Sequence, residues 1–355
     1  MSRILTTDEP IMPIDSQIIE ILKLNPNISS SVIVEKLGTK SLATVKRALK
    51  EAIENKFIVA NGAGRATKYQ LSNHYKLFEG VDIEKYYKQE IDDRKIIKGF
   101  NFSLLGNLMG VEIFTQAEQK KLQKLQKKHQ NNTQKLSQRE FNQEQERLAI
   151  DLSWKSSQIE GNTYSLLETE NLIKEQITAK GKTHNEATML LNHKSALDFI
   201  VDNPDYLQDI SVAKIENIHM LLTKNLNIDR NIRQRLVAIQ GTNFKPLDNE
   251  FQIKGTLNTM CNIIKEQKNT FAAALIALVL ISYIQPFSDG NKRTARIVSN
   301  AILISQKICP LSYRTVDSLD YKKAMLLFYE QNNISVIKDI FVGQFAFAVK
   351  TYFQT

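Results

Sequence analysis

Glycine, proline and cysteine are scarce in this chain of 355 residues. Its 13 glycines and 7 prolines supply few turns of special geometry, which favours helices over many short strands. The two cysteines, Cys261 and Cys309, have apolar neighbours and lack the spacing of metal ligands. We therefore expect two reduced thiols in the core, and the sequence excludes a metal site built from cysteines.

Long apolar runs are also missing. The longest, Phe271 to Ile284, is too short to span a bilayer. Residues 1–17 contain no basic start followed by an apolar stretch, so no secretory signal is visible. We expect a cytoplasmic protein with no membrane partner. Its length and its 42% of hydrophobic residues suit two or three domains with buried cores.

The charge balance is basic, with a formal net charge of +9 and a pI of about 9.2. This balance suits an anionic partner such as a nucleotide or a nucleic acid, but a merely lysine-rich surface produces the same number.

Residues 1–75 predict three helices followed by a hairpin. Helical spacing of apolar residues covers Ile14–Leu22, a segment capped by Ser29 or Ser30 and ending at Gly38, and Leu42–Asn55. Two β-prone runs, 57–59 and 68–71, flank a turn at 61–64. This order resembles a winged helix-turn-helix domain.

The basic residues of this domain are unevenly placed. Eight Lys and Arg but only two acids lie between Lys36 and Lys68. The third helix and the wing would present the following cations to duplex DNA: Lys46, Arg47, Lys50, Arg65 and Lys68. The alternative is a domain for dimerisation or target docking whose charges are simply solvated, and the sequence leaves both open.

The rest of the chain is predicted to be helical. We assign residues 76–136 to a helical connector and 137–355 to a helical domain. Helices are expected over Glu112–Gln130, Ser137–Gln158, Ser165–Lys174, Asn185–Val201, Val212–Leu222, Gly255–Glu266, Thr270–Tyr283 and Asn291–Ile304, with one or two more between Tyr321 and Gln354. One interruption, Leu236 to Pro246, predicts a β-hairpin flap.

The segment Gln285 to Arg296 joins a wholly apolar helix to an amphipathic one. Pro286 ends the first helix, and Asp289-Gly290-Asn291 forms a turn that caps the second. The free N–H groups at a helix start, together with the helix dipole, favour a bound phosphate.

Charged side chains reinforce this prediction. Lys292, Arg293 and Arg296 follow the turn, and the two arginines are three positions apart on one helix face. Asp289 suits an anion site only if a metal ion lies between it and the phosphates, as Mg²⁺ does. The alternative is an ordinary helix–helix turn with exposed charges.

This run resembles the signature of the Fic family, His-x-Phe-x-Asp/Glu-Gly-Asn-Gly/Lys-Arg-x-x-Arg. The resemblance implies a helical Fic core that transfers AMP from ATP to a target hydroxyl. It implies Mg²⁺ at Asp289 and phosphates at Gly290, Asn291, Lys292, Arg293 and Arg296, with Phe287 as a buried anchor. It also implies a flap, including Val237 and Ile239, that pairs with an extended target segment.

The first position of the signature departs from the family. Gln285 stands where the family has a histidine that takes the proton of the attacking hydroxyl. An amide is not basic, and loss of a general base costs about 10²–10⁴-fold in rate. We expect the five histidines, His74, His129, His184, His193 and His219, to be surface or core residues rather than substitute bases.

A second motif agrees with the family. Ser156, Glu160 and Gly161 match the inhibitory pattern Ser/Thr-x-x-x-Glu-Gly/Asn, and the first two share a helix face. Gly161 would end that helix. The resemblance implies that Glu160 pairs with Arg296 and misplaces ATP.

Three functions fit these patterns. The first is an autoinhibited protein adenylyltransferase that uses ATP and Mg²⁺ on a Ser, Thr or Tyr hydroxyl of a protein, including its own chain. The second is a nucleotide-sensing, DNA-binding transcriptional regulator with a pseudoenzyme Fic core. The third, a purely structural interaction protein, is disfavoured by Asp289, Arg293 and Arg296. Assembly into a homo-oligomer stays open.

Overall fold

The computed structural model describes residues 13–38 and 40–354, except for the side chains of residues 13–15 and of Arg65. The chain divides into two compact units, Met1–Glu79 and Gly80–Thr355, which are described one at a time.

The first unit contains helices and strands in the order helix, strand, helix, helix, strand, strand, helix. They are α1 (Pro13–Leu24), β1 (Ile28–Ser29), α2 (Ser30–Leu37), α3 (Leu42–Glu54), β2 (Ile58–Asn61), β3 (Lys68–Leu71) and α4 (Asn73–Phe78). The strands form one antiparallel sheet in the order β1-β3-β2, in which Tyr69 lies opposite both Ile28 and Ala60. A two-residue β1 carries no alternation of apolar and polar residues, so the sequence did not predict it.

Local capping explains where these helices begin and end. Ser29 caps α2 and Ser41 caps α3. Each side chain accepts the backbone N–H of the residue three positions later. Gly38 follows α2 with a φ of 69°. The apolar faces of α1, α2 and α3 then meet the sheet in a core of their own, which includes Ile18, Ile33 and Leu49.

The second unit is helical. Its helices are α5 (Ile83–Tyr86), α6 (Ser103–Leu108), α7 (Gln116–Thr133), α8 (Gln138–Ile159), α9 (Leu166–Glu175), α10 (His184–Asp202), α11 (Val212–Thr223), α12 (Glu250–Glu266), α13 (Thr270–Ile284), α14 (Asn291–Ser305), α15 (Ser318–Gln331) and α16 (Ser335–Thr351). These bounds agree with the predicted helices to within a few residues, with two larger shifts at helix starts.

Caps account for both shifts. A capping box between Thr115 and Glu118 starts α7 at Gln116 rather than at Glu112. The Asn249 side chain accepts the N–H groups of the second and third residues after it, so α12 starts five positions before Gly255.

Helix α13 forms the centre of the second unit. Every residue from Phe271 to Ile284 is buried, and α12, α14 and α15 pack around it. Its apolar run is therefore that of a core helix. No helix in the described ranges is long and apolar enough to cross a bilayer.

The segment assigned to the connector contains α5, α6 and α7. Helix α5 packs on α15, and α7 packs on α16, where Lys338 lies 2.8 Å from the largely buried carboxylate of Glu118. Backbone N–H groups of this segment also bond to the helical core, as in the bond from Ile97 to the Glu330 carbonyl.

The predicted β-hairpin at residues 236–246 was wrong. In the described chain this segment, which we call the flap, contains no strand, and its one β-bridge joins Lys245 to Gly99 instead of to the other leg. The backbone carbonyls at its base, those of Arg235 and Leu247, accept hydrogen bonds from the buried guanidinium of Arg233. The second leg is bonded elsewhere, since the N–H of Lys245 donates to the carbonyl of Lys98, and the two legs do not pair with each other.

Candidate phosphate-binding site

The loop between α13 and α14 is held by its own side chains. Asn291, the first residue of α14, donates to the carbonyl of Phe287 and accepts the Phe287 N–H, both at 2.8 Å. Its amide also donates to the Gln285 side chain at 3.0 Å. The side chain of Asn291 therefore fixes the loop, while the N–H groups of the first turn remain at the helix start.

Gln285 is folded back into this network. Its backbone has a φ of 51°, and its amide nitrogen donates to the carbonyl of Ser282 at 2.6 Å. Because its amide nitrogen donates to Ser282 and its amide oxygen accepts from Asn291, the Gln285 side chain has a structural role. The residue is 8% exposed and still borders the cleft described below.

His219 lies directly beneath the loop. Its ring stacks on Phe287, with centroids 3.7 Å apart and planes 6° from parallel. Its Nε2 lies 2.9 Å from the carbonyl of Asp289, so this nitrogen carries the proton and donates it. Burial lowers the pKa of His219 to about 4, although its hydrogen bond to Asp289 opposes the shift. A neutral, fully buried imidazole in this role supports the loop, and it agrees with the expected core histidine.

Gly290 completes the turn. It has a φ of 81°, which favours glycine, and a β-carbon there would lie 3.3 Å from His219 Nε2 and from a methyl carbon of Thr223. The close approach of α11 therefore requires a glycine as much as the backbone angle does.

The two arginines of α14 are almost fully buried. Arg293 is 2% exposed and lies 3.4 Å from the Asp289 carboxylate. Arg296 is completely buried, with its guanidinium over the ring of Tyr321. Each arginine has one terminal nitrogen, Nη1, without a hydrogen-bond partner among the described residues. A buried guanidinium with an unused N–H is ready to bind an anion.

Glu160 neutralises part of this charge. Its carboxylate lies 2.8 Å from Arg296 and 3.4 Å from Lys292. Burial acts to raise the pKa of Glu160, but the attraction of Arg296 and Lys292 outweighs it and holds the pKa below its usual range. The carboxylate is therefore ionised at neutral pH.

The other two residues of the motif at 156–161, Ser156 and Gly161, lie at the same helix end. Ser156 accepts hydrogen bonds from Arg296 through both its hydroxyl, at 2.8 Å, and its carbonyl, at 2.9 Å. Gly161 follows the last turn of α8 with a φ of 99°, as a glycine at a helix C-terminus does. The structure thus brings Ser156 and Glu160 together with the motif helix.

An open cleft runs between this loop and the flap. It is lined by the carboxylate of Glu160, by flap residues 237–240 and by loop residues 285 and 288–293. Val237 and Ile239 therefore face the same space as Lys292 and Arg293. Arg296 lies behind this surface, in contact with Glu160.

Asp289 fits a single-carboxylate magnesium site. Its side chain is 67% exposed, and one oxygen accepts the Gly290 N–H at 2.6 Å. The described residues contain no cluster of three or more His, Cys, Asp or Glu that could hold a metal ion by itself. Mg²⁺ at Asp289 would therefore take its remaining ligands from phosphates and water.

Arg233 is a residue that the sequence analysis missed. It is 3% exposed, its Nε donates to the carbonyl of Gln285 at 2.6 Å, and its backbone N–H donates to Pro286. The same guanidinium holds the base of the flap, so Arg233 joins the flap to the loop. It lies 52 positions before Gln285, and no local pattern marks a contact over that distance.

The basic side chains that are expected to contact DNA all belong to the first unit, whereas the cleft belongs to the second. Lys46, Arg47 and Lys50 are exposed on α3, and Lys68 is exposed on β3. Lys50 lies 3.9 Å from Glu54, in an exposed pair that contributes little. Arg65 belongs to a short 3₁₀ helix, and its side chain lies outside the described part.

The helical fold and the loop between α13 and α14 define the class, and comparison with known proteins identifies it. Residues 209–303 match the model of the Fic/DOC family. This part of the chain is therefore similar to the Fic/DOC domain.

Two curated relatives and one solved structure illustrate the similarity. A protein adenylyltransferase Fic of Nematostella vectensis is 28% identical over 47% of this chain and 40% of its own length. The protein adenylyltransferase fic-1 of Caenorhabditis elegans is 27% identical over 43% and 31%. The structure of Fic-1 residues 134–508 from C. elegans superposes with a TM-score of 0.58, covering 66% of this chain and 72% of that one at 19% identity. The chain thus matches less than half of each curated relative.

Replacement of Gly290 by alanine should destabilise the protein by about 1–3 kcal/mol, because a left-handed residue with a β-carbon costs about 1–2 kcal/mol and its neighbours are close. Gly255→Ala is the matched control. Gly255 lies within α12 with open space around it, so its replacement should stabilise by about 0.5–1 kcal/mol. Urea unfolding measures both, and equal effects would contradict the close packing at Gly290.

His219 should make stability depend on pH. Its pKa is about 4 when folded and about 6.5 when unfolded, so its contribution is complete above pH 6.5 and is lost as pH falls towards 4. The shift corresponds to a loss of up to about 3 kcal/mol. His219→Gln keeps a donor but does not titrate. The difference in unfolding free energy between the native protein and this variant should shrink by that amount from pH 7 to pH 4. A constant difference would show that His219 is not buried as neutral imidazole.

Proposed function

We propose that the second unit binds ATP at the start of α14 and transfers its AMP group to a hydroxyl of a protein, under restraint by Glu160. One observation carries this proposal: Arg293 lies at the floor of the cleft, almost fully buried, with an unpartnered N–H beside the free backbone N–H groups of a helix start. Phosphate is the ligand that satisfies all of these donors.

The remaining residues of the loop support the same ligand. Asp289 would hold Mg²⁺, which neutralises phosphate charge when bound. The Gly290 N–H is held by the Asp289 carboxylate, so the backbone N–H groups offered to the anion begin at Asn291, and Lys292 lies at the cleft with a partly exposed ammonium group. Val237 and Ile239 face these groups from the flap, where an extended target segment would pair with the backbone.

The chemistry depends on positioning more than on proton transfer. The target hydroxyl oxygen forms a bond to the α-phosphorus, and the bond from that phosphorus to the leaving pyrophosphate breaks. Gln285 has no basic atom, so the hydroxyl proton leaves to solvent or to the pyrophosphate. Transfer of phosphoryl-type groups relies chiefly on orientation and on charge neutralisation, which lets a slow reaction proceed without a base.

Glu160 would restrain the reaction in two ways. It occupies Arg296 at 2.8 Å and it approaches Lys292 at 3.4 Å, so two of the expected phosphate partners already hold an anion. We infer that ATP must displace this carboxylate, or bind in a strained position, before its phosphates lie correctly. The names of the relatives, protein adenylyltransferases, are consistent with this reaction.

Labelled AMP tests the proposal. Glu160→Gly should increase incorporation into protein, and adding Gln285→His should increase it by a further factor of about 10²–10⁴. Glu175→Gly is the matched control, because Glu175 is an exposed glutamate that likewise ends a helix. Arg296→Ala should abolish ATP binding in calorimetry. Absence of label in the double variant Glu160→Gly, Gln285→His would reject the proposed AMP transfer.

A second function is favoured by the first unit. Its first three helices and its three strands occur in the order of a winged helix-turn-helix, and α3 presents Lys46, Arg47 and Lys50 to solvent. We propose that this unit binds duplex DNA, which would make the protein a DNA-binding regulator sensitive to the nucleotide state of its Fic domain. The internal hydrogen bonds of Gln285 suit such a regulator as well as they suit a slow enzyme.

Salt dependence tests DNA binding in the full chain. Changing Lys46, Arg47 and Lys50 together to Gln should lower the slope of log K against log salt by about 2–3, since each phosphate contact contributes about 0.9. The matched control changes three exposed lysines of α7, Lys120, Lys124 and Lys127, to Gln. Equal losses in both triple variants would show diffuse attraction rather than binding by α3.

A further inference from the structure

The two legs of the flap are held differently. Residues 236–240 make no backbone hydrogen bond to another segment in the part of the chain that the structure describes, and Leu236 is 69% exposed. Residues 241–245, by contrast, are bonded to a segment that lies 147 to 152 positions earlier. We call this earlier segment, residues 86–101, the strap.

Backbone and side-chain bonds join the strap to the second leg. The N–H of Lys245 donates to the carbonyl of Lys98 at 2.8 Å, next to the bridge between Lys245 and Gly99. Asn243 donates its amide to the Asp92 carboxylate at 2.8 Å. The strap therefore takes the place that the partner strand of a hairpin would occupy.

Arg94 fixes the turn between the legs. Its Nη2 donates to the carbonyl of Gly241 at 3.1 Å, while its Nη1 lies 3.0 Å from Glu330 on α15. Both side chains are almost completely buried, at 5% and 1% exposure. Tyr86 donates to the other oxygen of Glu330 at 2.7 Å, and the guanidinium lies over the Tyr87 ring. This guanidinium, held through Nη1 and Nη2, cannot move away without leaving the buried carboxylate of Glu330 unpaired.

We propose that Arg94 is a positioning residue for target docking. It anchors the flap turn to α15 through Glu330, so that the unpaired backbone of residues 236–240 stays fixed at the cleft beside Arg293. The anchoring stands on these contacts alone, whereas its use in docking a protein target rests on the proposed function.

Hydrogen exchange tests the anchoring. Arg94→Met should speed exchange of the flap amides, including that of Lys245, by at least about tenfold, because flap opening no longer breaks the bond to Gly241. Arg314→Met is the matched control, since Arg314 pairs with the buried Asp151 at 3.1 Å and does not contact the flap. Exchange at residues 241–245 that stays at the native rate in Arg94→Met would overturn the proposal.

A double variant separates positioning from general stability. Arg94→Met with Glu330→Gln removes both charges and keeps an acceptor for Tyr86, so global stability should return towards that of the native protein. Flap exchange should stay fast, because no donor reaches Gly241. Recovery of flap protection in the double variant would show that Arg94 acts only through stability. Asn243→Ser, an exposed change that removes the bond to Asp92, gives a milder increase without risk to folding.

AMP transfer then tests the docking role. In a protein that carries Glu160→Gly, adding Arg94→Met and Glu330→Gln should reduce labelling of protein by about tenfold and leave the Kd for ATP with Mg²⁺ unchanged. Loss of ATP binding would contradict a role confined to the flap. If no label is transferred even when Gln285→His is added to Glu160→Gly, the proposed reaction fails, while the exchange measurements still decide whether Arg94 holds the flap.

Discussion

The burial of two guanidinium groups in the first turns of α14 is the constraint around which the second unit is arranged. A buried charge is tolerated only when neighbouring groups compensate it. Arg296 is compensated by Glu160 and by two oxygens of Ser156, all at the end of α8. Arg293 has a weaker partner, the exposed Asp289 at 3.4 Å. The position of α8 against α14 and the readiness of the cleft to accept an anion thus have one electrostatic cause.

The same loop shows how a substituted residue can be absorbed by its surroundings. The Gln285 side chain donates a hydrogen bond to the carbonyl of Ser282 and accepts one from Asn291. It therefore makes two hydrogen bonds at the position where the family signature has a histidine. The phosphate-facing groups keep their places because Asn291 and the pair of Phe287 and His219 hold the turn independently. In the proposed reaction, the groups that would bind phosphate are therefore separable from the group that would remove a proton.

Features determined by neighbouring residues could be predicted from the sequence. The apolar run from Phe271 to Ile284 and the turn at Asp289-Gly290-Asn291 fixed α13, α14 and their loop, because caps and periodicity act over a few positions. Resemblance to a known signature added the pairing of Glu160 with Arg296, which no local pattern shows. The flap was predicted wrongly as a hairpin, since Gly241 and its neighbours carry turn chemistry whether or not the legs pair. Arg94, His219 and Arg233 act across 52 to 236 positions of sequence, and only the fold brings them to the loop and the flap.

The strap has a consequence for how this protein can be divided. The strap begins a few residues after Gly80, where the second unit starts. The segment that follows the first unit in sequence therefore also holds the flap, through Arg94. A shortened chain that starts at the family match, near residue 209, would keep the phosphate loop but lose Arg94, Lys98 and the α8 end that carries Glu160. Such a fragment would lack the proposed restraint and the anchor of the flap together. A fragment that starts at Gly80 would keep the ion pairs of Arg94 with Glu330 and of Arg296 with Glu160.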